Sequence, residues 1–170
     1  FFVMELVKGS PLTEFCDEHR LSVAERLNLF IQICSAVQHA HQKGIIHRDL
    51  KPTNILVEMH DDKPVPKVID FGLAKAMDRG SGFASPADLA HSPTMTFGGT
   101  REGVILGTAA YMSPEQARGE NRALTPGCDI YSLGATLYKI LCGQPAFTGD
   151  NGHEIRTRVI EGRFTHPSEI

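Results

Sequence analysis

A polar segment between His47 and Asn54 carries groups suited to one kind of chemistry. It reads His47-Arg48-Asp49-Leu50-Lys51-Pro52-Thr53-Asn54, and the triplet Asp70-Phe71-Gly72 follows it. Moving a phosphoryl group from a nucleotide to a hydroxyl needs a carboxylate to receive the proton, a cation beside the phosphate and oxygen ligands for magnesium. Asp49 suits the first role and Lys51 the second. Asn54 and Asp70 supply the oxygen ligands, so the set predicts phosphoryl transfer.

Short β-branched runs at residues 55–57 and 65–69 are expected to bring the two metal ligands together. They bracket the polar turn 60–63 and predict a small two-stranded ribbon. Such a ribbon would deliver Asp70 beside Asn54. Two oxygen ligands from separate loops suit Mg²⁺, which keeps several waters and takes further ligands from substrate phosphates.

The joint pattern resembles the protein kinases, whose catalytic loop has the form H-R-D-L-x-x-x-N and is followed by D-F-G. A third element, Ser113-Pro114-Glu115, follows in the right order. Taken singly, an Arg-Asp pair or an Asp-Phe-Gly triplet indicates a turn or a surface ion pair, so the inference depends on the whole set. Lys51, two residues after Asp49, together with Thr108 resembles the serine/threonine branch. The stretch from His39 to Asp49 resembles bacterial kinases of the eukaryotic, or Hanks, type.

This resemblance implies an ATP-dependent protein serine/threonine kinase, with ATP and Mg²⁺ as cofactors and a protein Ser or Thr hydroxyl as substrate. Asp49, Lys51 and Asn54 would be the catalytic residues. Asn54 and Asp70 would be the metal ligands. The alternative is a non-catalytic, pseudokinase-like scaffold or nucleotide-binding module, and the intact catalytic groups favour the enzyme. Many such kinases carry a membrane tether or a sensor region elsewhere in the protein.

The resemblance also implies a nucleotide pocket and a structural frame. Met4 would border the back of the adenine pocket, and the backbone of Glu5 and Val7 would bond the adenine edge. Leu56 would pack under the adenine face. Structural roles would fall to five residues around the motifs: His47, Phe71, Gly72, Glu115 and Asp129.

The roles considered for Asp129 and for three histidines each have an alternative. Asp129 resembles the aspartate that hydrogen-bonds the backbone of the catalytic loop, and the alternative is a carboxylate that merely complements a helix dipole. By resemblance, the ring of His47 would pack against the Phe71 region as part of the core, and the alternative is a general base. His39 and His41 could suggest a metal pair, but residues two apart on a helix point to different faces, so we expect no metal site there.

Regulation would involve Arg48 and the loop that follows the Asp-Phe-Gly triplet. Arg48 always carries its charge, and a phosphorylated threonine would supply an anion that its guanidinium can bind in a fork. The candidates are Thr94, Thr96 and Thr100, although threonines are common in unmodified loops. By resemblance, Thr108 would hydrogen-bond both Asp49 and Lys51.

The resemblance implies an α+β, protein-kinase-like fold. It would comprise a mostly helical large lobe with a short β-ribbon, plus the last strand and hinge of the small lobe. Residues 1–170 would form a partial kinase domain. By resemblance, residues 70–115 would be the activation segment. Within it, between Leu73 and Gly107, periodicity is lost among Gly, Ser, Thr, Ala and Pro, which predicts a loop.

Helix signals place the main elements. Pro11 after Ser10 predicts a short helix that starts at Pro11 and runs to about Asp17. Ser22 with Glu25 forms a capping box, and the helix it opens should end at Gly44. Its buried face is predicted from helical spacing as Leu27, Phe30 or Ile31, Cys34, Val37 and His41. Two more helices are predicted, one from Thr125-Pro126 to Gly143, apolar nearly all round and central, and one from Asn151 with Glu154 to Gly162.

The first residues suggest a piece of a longer protein. Residues 1–7 read as a buried strand that would need neighbouring strands. The Gly-rich loop, the phosphate-pairing lysine and the glutamate that orients it are not found in the 170 residues. We therefore expect them upstream, and we expect this segment alone to be inactive.

Composition narrows the remaining classes. The chain is 41% hydrophobic and has a net charge of -3, so no basic excess argues for nucleic acid as a partner. Its four cysteines form no C-x-x-C pair and predict reduced thiols. No apolar stretch approaches the roughly 18 residues of a membrane span, which favours a cytoplasmic location for this segment.

Overall fold

The computed structural model describes residues 6–71, 107–120 and 125–170. In these ranges the helices are α1 (Leu12–Glu18), α2 (Val23–Gln42), α3 (Pro114–Arg118), α4 (Pro126–Cys142) and α5 (Gly152–Glu161). The strands are β1 (Ser10–Pro11), β2 (Ile55–His60) and β3 (Lys63–Val68), in one antiparallel sheet ordered β1-β2-β3. Single 3₁₀ turns cover Pro52–Asn54 and Pro167–Glu169. The predicted α+β class, mostly helical with a short ribbon, is confirmed.

The ribbon that follows the polar segment forms as predicted. Strand β2 pairs with β3 from Ile55 opposite Val68 to the pair that closes the turn. Asp61 and Asp62 make the turn with φ values of 47° and 60°, a left-handed conformation that aspartate tolerates. Because successive side chains of a strand point to opposite faces, Ile55 and Val57 are buried together.

The chain enters the first helix one residue later than predicted. Pro11 pairs with Leu56 in the sheet and caps α1, so it is not a helical residue. A side chain at Gly9 would place its Cβ only 2.7 Å from the carbonyl oxygen of Val57. The close approach of β1 to β2, which this glycine allows, holds Pro11 in the sheet.

The cap of α2 is confirmed, but its predicted buried face is partly wrong. Ser22 and Glu25 form the capping box in both directions. The most buried row is Leu29, Ile33, Val37 and Ala40. Leu27 and Ile31 are 37% and 61% exposed, while Phe30 and Cys34 pack at the edge of the core. Both stripes repeat at helical spacing, and packing of α2 against α4 and β3 decides between them.

Helix α4 runs through the main core. Thr125 caps it, Pro126 opens it, and Gly143 ends it with a φ of 74°. Leu133 and Ile140 join the core cluster. The prediction that this helix is apolar nearly all round and central is correct only for one side, because Ile130 and Leu141 are exposed. Across the described ranges, none of the helices combines the length and apolarity that crossing a membrane requires.

Candidate active site

The carboxylate of Asp49 is held by two neighbours and open on one side. Lys51 Nζ lies 2.9 Å from Asp49 Oδ2, and Asn54 Nδ2 donates to the Asp49 carbonyl at 2.8 Å and to Oδ2 at 3.2 Å. The 3₁₀ turn Pro52–Asn54 brings the amide back over the loop. The other oxygen, Oδ1, makes no hydrogen bond to any described residue, and the side chain is 44% exposed. One carboxylate oxygen is therefore free to accept a proton from an incoming hydroxyl.

The ring of His47 forms hydrogen bonds that hold this loop. Its ring is buried, Nε2 donates to the carbonyl of Ile69 at 2.8 Å, and Nδ1 accepts from the Asp49 N–H at 3.3 Å. A carbonyl only accepts, so this pair of bonds requires the tautomer with the proton on Nε2. The ring of Phe71 meets it edge-on with centroids 4.8 Å apart. His47 thus lies against the Phe71 ring, and both of its ring nitrogens are engaged in hydrogen bonds to the backbone.

Asp70 is positioned through the residue before it. Ile69 donates its N–H to the carbonyl of Asn54 at 3.0 Å, and its own carbonyl accepts from His47. Both backbone groups of Ile69 are thereby bonded to residues 47–54, the segment that matches the catalytic loop of the kinase pattern and is called the catalytic loop below. Asp70 follows with a φ of 62° and an exposed side chain. A carboxylate and an amide oxygen on two linked loops fit the oxygen donors that Mg²⁺ prefers.

Asp129 is the buried anchor of the loop. Its Oδ2 accepts from the His47 N–H at 2.8 Å, and its Oδ1 accepts from the Arg48 N–H at 2.8 Å. His41 Nε2 adds a bond to Oδ2 at 2.7 Å. Burial, with a smaller contribution from the Asp129 carboxylate, raises the pKa of the Cys128 thiol to about 11, so that side chain stays a neutral donor toward Oδ1. The carboxylate is fully buried and surrounded by donors.

His41 is a residue whose role sequence reasoning missed. We placed it on the buried face of α2 and excluded it only as a metal ligand. A buried polar ring must find a partner, and this requirement was the available signal. The structure supplies the partner as Asp129, on a distant helix. Among the described residues no cluster of three or more potential metal ligands occurs.

The segment before α3 meets the catalytic loop through Lys51. Lys51 Nζ donates to Thr108 Oγ1 at 3.0 Å. The expected second bond, from Thr108 to Asp49, is absent although both residues are described. The ammonium of Lys51 lies between them and contacts each. Ser132, one turn after Asp129 on α4, donates to the Tyr111 carbonyl at 2.7 Å, so α4 holds this segment as well as the loop.

Arg48 lies where these supports meet. Its φ is 71°, its N–H is bonded to Asp129, and its carbonyl accepts from Gln116 Nε2 at 2.6 Å. Its buried Nε has no hydrogen-bond partner within the part of the chain that the structure describes. A buried, unpaired guanidinium nitrogen favours an anion in its surroundings.

An open cavity of about 630 Å³ lies beside Asp70. Val7 and Leu56 line it, together with Leu6 and Phe71. Its lining is mainly apolar, with Lys67 and Asp70 as the charged side chains, and suits a flat ring with charged groups attached. Six predicted site residues lie outside the described ranges: Met4, Glu5, Gly72, Thr94, Thr96 and Thr100. Glu115 is half-buried in the first turn of α3. The pKa of Tyr131 is raised mainly by its burial and to a smaller extent by the Glu115 carboxylate.

Comparison with known proteins gives a consistent result. The protein kinase domain model matches residues 1–168. A probable serine/threonine-protein kinase PknB from Bifidobacterium longum is 37% identical over 169 residues, which are 99% of this chain and 22% of that protein. Serine/threonine-protein kinase PknB from Mycobacterium tuberculosis is 38% identical over 152 residues, 89% of this chain and 21% of that protein.

A third relative has a more specific name. The DNA damage-responsive serine/threonine-protein kinase RqkA from Deinococcus radiodurans is 36% identical over 157 residues, 91% of this chain and 20% of that protein. The chain thus spans about a fifth of the length of the curated relatives it matches.

Proposed function

This chain belongs to the protein kinase domain family, with bacterial serine/threonine kinases of the Hanks type among its relatives, and on that premise we propose that it is part of an ATP-dependent protein serine/threonine kinase. The observation that carries the proposal is the Asp49 carboxylate, held on one oxygen by Lys51 and Asn54 and open on the other. The direct test is transfer of labelled phosphate from ATP to a generic protein substrate by the full-length protein, with magnesium present.

In the proposed reaction Asp49 receives or orients the proton of a Ser or Thr hydroxyl. The hydroxyl oxygen attacks the γ-phosphorus of ATP, the bond to the β-phosphate oxygen breaks, and ADP leaves with that electron pair. Lys51 Nζ lies 2.9 Å from Asp49 Oδ2. In the proposed reaction its positive charge would stabilise the negative charge of the phosphoryl group that is transferred beside this carboxylate. A cavity of about 370 Å³ lined by Lys51, Thr53 and Thr108 is the proposed entry for the substrate hydroxyl.

Asn54 and Asp70 would hold magnesium, and Val7 and Leu56 would border the adenine ring. When bound, the metal supplies positive charge that neutralises the phosphates. The protein's own contribution is orientation. Bonds from Ile69 to Asn54 and His47 keep the two ligand-bearing loops in one arrangement.

Replacing Asp70 by Ala is expected to weaken nucleotide binding in magnesium and to leave binding without the metal nearly unchanged. The substitution removes a hard anionic ligand while the adenine contacts persist. Nucleotide affinity measured across a magnesium titration checks this result. Asp150→Ala, a change at an exposed aspartate away from the loops, is the matched control. An unchanged magnesium requirement in the Asp70 variant would contradict the metal assignment.

We propose residues 70–115 as the activation segment and phosphorylation within it as the switch. Changing Thr94, Thr96 and Thr100 together to Ala should lower activity, because phosphate on one of them would pair with the Arg48 guanidinium, whose buried Nε has no partner among the described residues. Mass spectrometry of active protein should find phosphate on at least one of the three. Thr157→Ala on α5 serves as control, and full activity of the triple variant would rule out this switch.

We further propose that this segment works in the cytoplasm. All four cysteines are free, and Cys16 and Cys128 are buried. Burial raises the pKa of the Cys16 thiol, which keeps it protonated and unreactive. Free buried thiols are typical of a reducing compartment.

A further inference from the structure

The backbone of Arg48 is held in an unfavourable conformation from two sides. A φ of 71° places this residue in the left-handed region that L side chains disfavour. Asp129 on α4 accepts from its N–H, and Gln116 on α3 donates to its carbonyl. The Arg48 carbonyl and the Asp49 N–H belong to the same peptide group, and this N–H donates to His47 Nδ1. The plane of the peptide leading into Asp49 is therefore fixed at its carbonyl end by Gln116.

The amide of Gln116 is itself oriented. The side-chain Oε1 of Gln116 accepts from the Ser113 N–H at 3.0 Å. The backbone N–H of Gln116 donates to Ser113 Oγ at 3.4 Å, which completes a capping box. A flipped amide would place its NH₂ against the Ser113 N–H and its oxygen against the Arg48 carbonyl, so both contacts would become repulsive. The donor of Gln116 can only face Arg48. The spacing of Ser113 and Gln116 fits a capping box, whereas the contact of Gln116 with Arg48 exists only in the folded structure.

Helix α3 is thus joined directly to the catalytic loop. The segment leading into it touches the loop through Thr108 and Lys51, and α3 touches it through Gln116 and Arg48. We propose that Gln116 is a positioning residue that transmits the placement of α3 to the orientation of Asp49. This inference rests on the proposed kinase function, and it makes turnover depend on a side chain that touches neither substrate nor nucleotide.

The test compares Gln116→Glu and Gln116→Met in the full-length protein. Glutamate keeps the acceptor for the Ser113 N–H but sets an oxygen against the Arg48 carbonyl. Methionine keeps the length of the side chain and removes both the donor to Arg48 and the acceptor for the Ser113 N–H. We expect kcat to fall about 10- to 100-fold in both, as for a small misplacement of a reacting group. The KM for ATP should stay near the wild-type value in both variants, and the midpoint of thermal unfolding should stay near it in Gln116→Glu, which keeps the capping box. Gln32→Glu, the same change at an exposed position on α2, is the control.

Hydrogen exchange over residues 47–51 provides a readout that does not depend on activity. Faster exchange in both Gln116 variants, with unchanged exchange in Gln32→Glu, would support the positioning role. A kcat within twofold of wild type, wild-type exchange at these amides, or a loss of activity that only follows the unfolding midpoint would overturn it. A wild-type protein that transfers no phosphate would instead defeat the proposed function, and the exchange comparison would still decide the role of Gln116.

Discussion

Replacing Asp49 by Asn is expected to remove most phosphoryl transfer while nucleotide binding survives. An amide cannot take the proton of the attacking hydroxyl, and loss of a general base typically costs about 10²- to 10⁴-fold in rate. The amide oxygen can still accept from Lys51 Nζ and Asn54 Nδ2, which now meet at Asp49 Oδ2. The loop should therefore keep its shape, and the loss should fall on kcat.

Turnover and nucleotide affinity are measured in parallel for each variant of the full-length protein. Asp61→Asn is the matched control, since it makes the same chemical change in the exposed turn of the ribbon, where asparagine also tolerates the left-handed backbone. We expect near-wild-type turnover for the control and near-wild-type nucleotide affinity for both variants. Near-normal turnover of Asp49→Asn would exclude this carboxylate as the base.

Replacing Asp129 by Asn is expected to loosen the catalytic loop and to lower turnover strongly. Donors face both carboxylate oxygens, with Arg48 on one side and His47 and His41 on the other. An amide has only one acceptor atom, so its NH₂ must meet a donor whichever way it turns. A buried donor left without a partner costs about 1–3 kcal/mol. A carboxylate that only complemented the dipole of α4 would contribute about 0.3–1 kcal/mol.

Hydrogen exchange at the amides of His47 and Arg48 distinguishes these two roles. We expect the free energy of opening at both amides to fall by about 1–3 kcal/mol in Asp129→Asn, together with a loss of kcat. Glu14→Gln, which removes an exposed carboxylate from the first turn of α1, is the control for the dipole effect. Equal exchange at His47 and Arg48 in the two variants would leave Asp129 with the dipole role alone.

Much of the candidate site could be predicted because its chemistry admits few residue types. Proton acceptance, phosphate neutralisation and magnesium binding each suit few side chains, and these are the roles proposed for Asp49, Lys51, Asn54 and Asp70. Local rules predicted the cap of α2 and the turn of the ribbon. The capping box of Ser22 and Glu25 and the turn of the ribbon depend on residues only a few positions apart, so spacing alone reveals them.

The misplaced face of α2 shows where such rules end. Leu27 and Ile31 repeat at the same helical spacing as Leu29 and Ile33, and a single helix offers no reason to prefer one pair. Packing against α4 and β3 buries the second pair and leaves Ile31 61% exposed. Helical periodicity determines that an apolar face exists, while the neighbouring elements decide which stripe is buried.

The sequence by itself thus determined the ribbon and the helix caps and indicated the candidate reacting groups, since each depends on residue chemistry or on contacts a few positions apart. Only the tertiary structure revealed the supports of the catalytic loop. His41 reaches Asp129 across 88 residues and Gln116 reaches Arg48 across 68. A hydrogen bond between distant segments leaves no periodic signature, because its geometry exists only after the helices that carry both partners have packed.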